Sequence, residues 1–390
     1  MKKYLFILVT ALSFAQSVNK TMNLLPDTGQ INSYTATFGE DNDYNINTPS
    51  YTNNNNGTIN DNVTGLMWQQ TDGGEMTIEN AFIYANNLVL AGFSDWRLPS
   101  PKESFSILNH QNNNPALSTT YFTNNNAGYW WTNTYQVGDN TKVWTTNAGG
   151  GIGNKPKSET ISAGGTFKFH ARCVRDLATP TTIANHFTDN GDGTITDNLT
   201  QLIWQKIPNT NVVTWENAIA YAESLSLANA TDWRLPNIKE LESLNDESLT
   251  NPSVNQAFFS ISGSKNYWSS TSLPNQMTEA WYWNTQFGIT TYALKTASNY
   301  LICVKGNPVN LAVNSVIIND KRFVYPNPFS SKIIIENILG DESYKLYNNI
   351  GQLIFEGKNI AEKDFSKLQK GIYYLEINGQ SVSKIKLLKN

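Results

Sequence analysis

The sequence predicts an α+β protein: two tandem α+β domains followed by a small C-terminal β-sandwich. Three observations carry this expectation. The pentapeptide Asp-Trp-Arg-Leu-Pro occurs twice, at 95–99 and at 232–236. Around each copy the same elements recur in the same order, displaced by 136 at a Trp-Gln, 137 at the pentapeptide and 138 at a Tyr-Trp. Past residue 322 that pattern gives way to short alternating strands, and 390 residues accommodate three such units.

Composition bounds the setting. Only 15 % of residues are charged, and Asn, Thr and Ser are abundant, which suits a β- and loop-rich extracellular protein better than a cytosolic enzyme. The net charge of −4 is unevenly spread. Residues 25–306 hold 14 Lys/Arg against 24 Asp/Glu, and residues 322–390 hold 10 against 7. An acidic body repels polyanions, so neither nucleic acid nor a heavily sulfated glycan is expected as a partner. Two cysteines, Cys173 and Cys303, cannot build a disulfide framework. A bridge between the repeats is one reading; two separately buried thiols are the expectation, because equivalent positions of tandem domains rarely meet.

Residues 1–15 read as a secretory signal peptide: basic Lys2-Lys3, an apolar stretch from Tyr4 to Leu12, and a small-x-small site at Ser13-Phe14-Ala15. That stretch is too short to span a bilayer, and no membrane-spanning segment is expected in the mature protein. Residues 16–24 form a leader. The first repeat runs over 25–177, and its opening, Pro26 to Tyr51, reads as irregular strands of that domain. Asn56-Gly57-Thr58-Ile59 signals a hairpin, as does Asp192-Gly193-Thr194-Ile195 in the second repeat, 185–306.

An amphipathic helix follows in each repeat. Thr77 caps the first, with Ile78, Ala81, Phe82, Ala85, Leu88 and Val89 on one face. Thr214 caps the second, with Trp215, Ala218, Ile219, Ala222 and Leu225. The pentapeptide then links to a short second helix through a capping box, Ser100-Pro101-Lys102-Glu103 or Asn237-Ile238-Lys239-Glu240. Aromatic–polar alternation over Tyr129–Tyr135, Lys142–Thr146, Tyr267–Thr271 and Ala280–Gln286 predicts a small antiparallel sheet in each repeat. A linker, 307–321, leads to the last unit, 322–390, whose alternating runs from Lys332 to Leu388 predict the sandwich.

The two repeats resemble the Lcl C-terminal domain family, long known as DUF1566. Pro26-Asp27-Thr28-Gly29-Gln30, Thr64-Gly65-Leu66-Met67-Trp68-Gln69, both pentapeptides, Tyr267-Trp268-Ser269-Ser270-Thr271 and Arg172-Cys173-Val174-Arg175 carry the likeness. The resemblance implies a lectin-like fold, a bacterial surface protein and adhesion. It departs from the family at Ile302-Cys303-Val304-Lys305, which lacks the first Arg, and at Ala85 and Ala222, where many members carry a Cys. The last unit is similar to the type A sorting domains of the type IX secretion system. Tyr325-Pro326-Asn327-Pro328, Asn349-Ile350-Gly351, Asp364-Phe365-Ser366, Gly371-Ile372-Tyr373 and the basic end Lys384, Lys386 and Lys389 carry that likeness. It implies export across both membranes, contact with the type IX machinery through 322–390, and release or attachment at the outer surface.

Catalytic motifs are sparse. Asp95, Trp96, Arg97 and Asp232, Trp233, Arg234 invite a catalytic reading, but a bracing role fits better: carboxylate and guanidinium satisfy loop amides and carbonyls while Trp fills the core. Asp189–Asp197 fails calcium-loop spacing, with Leu199 where the twelfth-position Glu belongs, and reads as a hairpin turn. Three His (His110, His170, His186) without ligand spacing give no zinc site, no phosphate loop is present, and no cofactor is expected. Glu216 and Glu223 on one helix read as a solvated face.

The remaining candidates are aromatic. Trp130, Trp131, Trp144, Trp268, Trp281 and Trp283 lie in the sheet-rich halves, with Trp281 and Trp283 on one face. Flat rings beside Asn, Gln and Thr suit a neutral sugar; the competing reading is that these rings are core. The sequence thus reads as a secreted or surface-displayed binding protein, not an enzyme, recognising a neutral glycan or a surface protein. The alternatives are a secreted polysaccharide-active hydrolase and a ligand-free structural surface protein.

Overall fold

The computed structural model describes residues 17–44, 46–123, 127–158, 169–306, 323–326, 329–336, 342–348, 351–378 and 382–389. The expected signal peptide and linker fall outside these residues, as do Asn327, Pro328, Asn349 and Ile350 and the side chains of Lys384 and Lys386.

Each repeat rests on a four-stranded antiparallel sheet closed by a strand from its far end. In the first the order is Tyr51–Asn53, Thr58–Asp61, Leu66–Gln69, Val174–Asp176; in the second it is Phe187–Asp189, Thr194–Asp197, Ile203–Gln205, Val304–Lys305. Ile59 faces Trp68, which faces Val174, and Ile195 faces Trp204, which faces Val304. The Gly-Thr-Ile, Trp-Gln and Cys-Val segments are therefore neighbours in one sheet. Gly57 and Gly193 turn the hairpins at φ +86° and +89°, where a Cβ would be strained.

A second sheet in the first repeat runs Ile152–Pro156, Asp139–Asn147, Tyr129–Gln136, Phe169–His170, the last pairing in parallel. Its counterpart has three strands, Asn266–Ser272, Glu279–Asn284 and Ile289–Leu294, with Tyr300 bridging in parallel to Tyr267. Helices are few: α1 (Ile78–Asn87), α2 (Pro101–Ser106), α3 (Trp215–Ser224) and α4 (Ile238–Ser243). The repeats are thus mostly β rather than α+β. The reason is that the apolar stripes stop short. Leu88 and Leu225 take extended backbone, and Val89 points into solvent. Both capping boxes form, and Thr77 caps α1, but the Thr214 side chain makes no capping bond.

The structure also corrects the internal alignment. Trp131 Nε1 donates to Met76 O at 2.8 Å, and Trp268 Nε1 to Val213 O at 2.9 Å. Thr132 Oγ1 donates to Trp144 O, and Ser269 Oγ to Trp281 O. All of these positions pair at an offset of 137, so Trp268 corresponds to Trp131 and Tyr267 to Trp130. The matching Tyr-Trp dipeptides are out of register by one residue.

The repeats clasp each other. Lys102 Nζ on α2 donates to Ser243 O (3.2 Å) and Asn245 O (2.6 Å). Lys239 Nζ on α4 donates to Ser106 O and to Asp27 O, both at 2.7 Å. Lys102 and Lys239 are equivalent, as are Ser106 and Ser243, so the contact is reciprocal, as in an isologous dimer. One apolar core runs through both copies, with Trp68, Phe105, Trp130 and Trp144 from the first and Trp204, Leu241, Trp281 and Trp283 from the second. Each copy keeps a second cluster of its own, around Trp96, Trp131 and Cys173 or Trp233, Trp268 and Cys303. Both cysteines are buried and unbridged.

Residues 26–50 are not strands of the first repeat. Among the described residues they form only a 3-10 turn, Asp41–Asp43, and they strap onto the second repeat. Gln30 exchanges hydrogen bonds with Ser272 (2.8 and 3.0 Å), and the Asp41 carboxylate accepts from Thr28 and Thr271. Gly39 lies so close to Ile219 and Glu223 that a Cβ would sit 2.7 Å from Ile219. Glu223 is consequently buried, accepting from Tyr44 (2.7 Å), and Glu216 accepts from Thr35 (2.8 Å). These two acids are roofed by the strap rather than solvated.

The last unit is a four-stranded antiparallel sheet, ordered Leu353–Gly357, Ser343–Asn348, Gly371–Asn378, Val382–Lys389, with a ribbon of Phe323–Tyr325 and Ile334–Glu336. Phe329, Ile333 and Ile335 share a core with Leu346, Tyr373, Leu375 and Ile377. Among the described residues its second layer is this ribbon, not the full second sheet of a sandwich.

Candidate functional site

The pentapeptides brace the fold, by a route other than loop carbonyls. Arg97 forks onto Glu103 of its own capping box at 2.7 and 2.8 Å and reaches Asp176 at 3.1 Å. Arg234 forks onto Glu240 at 2.6 Å twice. The same glutamates accept from the N-cap amides of Ser100 and Asn237. Asp95 is exposed and holds Arg175 (2.7 and 3.0 Å); Asp232 stands 3.9 Å from Lys305. Trp96 and Trp233 are buried, each donating to the carbonyl of Leu90 or Leu227.

The six tryptophans read as a ligand face are all core: Trp130 and Trp281 are 3 % exposed, Trp144 1 %, and Trp131, Trp268 and Trp283 fully buried. Alternation does put Trp281 and Trp283 on one face, but that face packs into the core shared by the repeats. On the opposite face Trp131 and Trp268 pack among α1 and α3 residues. A sheet covered on both sides has no solvent face to offer. In the first repeat a buried network, Asp72–His170 at 2.9 Å with Arg172 donating to Gln69 O, Gln70 O and Thr123 O, ties that sheet down. Among the described residues no three His, Cys, Asp or Glu side chains cluster as metal ligands.

What the clasp leaves open is a groove of ≈ 930 Å³ between the leader and the second repeat. One wall is the leader from Val18 to Leu25, whose Val18–Lys20 strand pairs with Thr181–Ile183. The other wall is Asn185 and His186 with the Phe187–Asp189 strand that follows them, and the segment Leu244–Ser248 after α4 with Asn255 and Phe258 completes the lining. Phe258 is half-buried, and His186 stacks on Phe187 at 3.8 Å. Beneath lies a small cavity of ≈ 50 Å³, bounded by Lys102, Phe105, Lys239 and Glu242 and sharing Met22, Leu25, His186 and Thr200 with the groove. Grooves of this size at domain boundaries are where small ligands settle.

Several buried polar atoms here have no hydrogen-bond partner: both carboxyl oxygens of Glu242, Glu247 Oε1, and His186 Nε2, which stands 3.3 Å from Asp197. Burial, then Glu247 beside it, pushes the Glu242 carboxyl well above the usual range. Burial pulls Lys239 down to about 8, against the upward pull of Asp27, Asp61 and Asp41. Sequence reasoning missed Glu242 and Glu247. The signal was available in the repeat alignment, where they occupy the places of Phe105 and His110.

Two copies of one β-rich domain, clasped about their capping-box helices and followed by a separate β unit, define the class. The chain belongs to the Lcl C-terminal domain family, which matches residues 57–175 and 193–305, and a secretion system C-terminal sorting domain matches 323–389. That tail marks the chain for the type IX secretion route, to the cell surface or beyond. No helix among the described residues is long and apolar enough to cross a membrane. No curated protein matches the chain. Among solved structures, PorZ, a surface component of the type IX secretion system of Porphyromonas gingivalis, is similar at 13 % identity over 66 % of this chain and 30 % of that one. The TM-score of 0.16 is too low to equate the folds.

Proposed function

We propose that this chain is an exported binding protein that recognises a glycan, with the groove between leader and second repeat as its site and no catalytic step. The observation that supports this most is the open groove of ≈ 930 Å³ at the clasp, lined by an aromatic ring and several amide and hydroxyl side chains. Aromatic Phe258 and the side chains of Asn19, Asn185, Thr188 and Asn255 supply the apolar contact and hydrogen bonds a sugar ring needs. The test is a binding screen of the full chain against oligosaccharides and surface polymers, repeated with Phe258→Ala. Loss of binding in that variant supports the reading. No binding at all, or binding indifferent to the change, removes the glycan version and leaves a surface protein or a ligand-free structural role.

A hydrolase is the second reading, favoured by the carboxyl-bearing Asp189, Asp246 and Glu247 along the groove. Release of new reducing ends from a bound polysaccharide would decide for it.

A further inference from the structure

We propose that one proton shared by Asp27 and Asp41 holds the strap on the second repeat, and with it the leader wall of the groove, so that the site is firm at acid pH and loosens as pH rises. The proposal rests on the groove being the binding site and names its regulation. The Thr28 hydroxyl stands 3.2 Å from Asp27 Oδ1 and 2.9 Å from Asp41 Oδ2. A hydroxyl has one proton to give. Two ionised carboxylates would leave one oxygen against its lone pair, so the chain Asp27–Thr28–Asp41 is complete only when one acid carries a proton. Asp41 accepts at Oδ2, from Thr28 and from Thr271 of the second repeat, while its Oδ1 is buried without a partner. The two acids are 4 % and 2 % exposed, and carboxyls so placed resist ionising together.

The charged groups around the pair do not replace that proton. On the second repeat, Lys239 gives its ammonium to the carbonyls of Asp27 and Ser106, and Arg234 forks onto Glu240, whose charge opposes ionisation of both acids. From the first repeat, Asp61 acts on Lys239, and His110 gives its amide to Thr28 O while its ring meets Gly150 O. Farther along the strap, Tyr44 gives its hydroxyl to Glu223, and Glu40 feels Asp43 and Lys295. Burial first, then Asp27 beside it, raises the Asp41 carboxyl well above its ordinary range, and burial raises Asp27. The docked strap therefore keeps a proton that a free strap releases. Docking is strongest below the ordinary value of 3.8 and weakens as pH rises through the docked one. Asp27 also ties the strap to the groove. Its Oδ2 accepts from Ile46 N at 2.8 Å, its amide donates to Asn47 O at 3.1 Å, and Asn47 Nδ2 donates to Leu25 O at 2.9 Å. Leu25 lines both the groove and the cavity beneath it.

The experiment is hydrogen–deuterium exchange of the full chain from about pH 5 to about pH 8, with rates corrected for intrinsic exchange. Protection of the strap, Pro26 to Asn47, and of the leader, Val18 to Leu25, should fall by about tenfold, the effect of one proton over one pH unit. Strands Thr194–Asp197 and Ile203–Gln205 should keep theirs. The isosteric Asp41→Asn, which stands in for the protonated acid, should keep strap and leader protected at the alkaline end. At neutral pH the infrared difference between wild type and that variant should show a protonated carboxyl. Protection indifferent to pH, a fall that survives Asp41→Asn, or no protonated carboxyl overturns the shared proton. A leader that does not follow the strap overturns its link to the groove. No sugar enters this assay, so these outcomes leave the glycan reading standing; a sugar screen without binding removes that reading and leaves the proton-held strap.

Discussion

Glu240→Ala is expected to destabilise the protein far more than the equivalent Glu103→Ala. Both glutamates close a capping box and hold the pentapeptide arginine, but their settings differ. The Arg234 and Glu240 side chains are 5 % and 4 % exposed, and Glu240 is the acid on which Arg234 forks. Burial opposes the charge on Arg234, yet Glu240 outweighs it and holds the guanidinium above its ordinary pKa. Removing Glu240 strands that guanidinium, a loss of about 3–5 kcal/mol, and frees the Asn237 amide. This is a large part of the roughly 5–15 kcal/mol that folds a domain. Arg97, 31 % exposed, keeps Asp176 at 3.1 Å and has water beside it, so Glu103→Ala should cost about 1–2 kcal/mol. Urea titration followed by tryptophan fluorescence gives both shifts in midpoint. The double variant Arg234→Met/Glu240→Met should recover most of the loss, since an apolar pair of similar volume leaves no unpaired charge. Equal shifts for the two alanine variants, or a double variant no better than Glu240→Ala, would refute the reasoning.

Trp130→Ala and Trp268→Ala should each cost about 3–5 kcal/mol and flatten the near-ultraviolet dichroism; a well-folded variant of either would contradict their place in the core. Lys239 sits at about 8 in the folded chain against 10.5 when unfolded. Between those values the unfolded chain holds a proton that the folded chain has released, so this group adds stability as pH rises from about 8 to 10.5. The urea midpoint of wild type should rise relative to that of Lys239→Met over that window, and a constant difference would dismiss it. Burial pushes the Cys173 thiol up to about 12, and Cys303 is equally enclosed. A thiol reagent should therefore label neither in native buffer and both in urea; rapid native labelling would count against two buried thiols.

The duplication, the hairpins, both capping boxes and the principal strands were legible because each has a local signal: a repeated motif, a Gly with forced φ, a cap three residues before its Glu. What the sequence hid was which face met what. Trp281 and Trp283 share a face by simple alternation, but only the clasp shows that the face is interior. The strap is hidden for the same reason: nothing local in Pro26–Tyr51 says that Gln30, Tyr44 and Asp41 find Ser272, Glu223 and Thr271 on the other copy. The helical content was overread because a stripe can continue past a helix end, as Leu88 and Leu225 do. The groove has no motif at all, being the space left where two copies meet.

The two copies are alike where they brace the fold and differ at the clasp. Equivalent positions that only brace the fold stay alike: Trp96 and Trp233, Arg97 and Arg234, Glu103 and Glu240, and the reciprocal Lys102 and Lys239. At the clasp, however, Phe105 and His110 become Glu242 and Glu247. The exchange puts two neighbouring carboxyls where two rings pack, and burial together with Glu247 holds the Glu242 carboxyl well above the usual range. The clasp is thus built from equivalent elements that carry unlike side chains at these two places, rings in the first copy and carboxyls in the second.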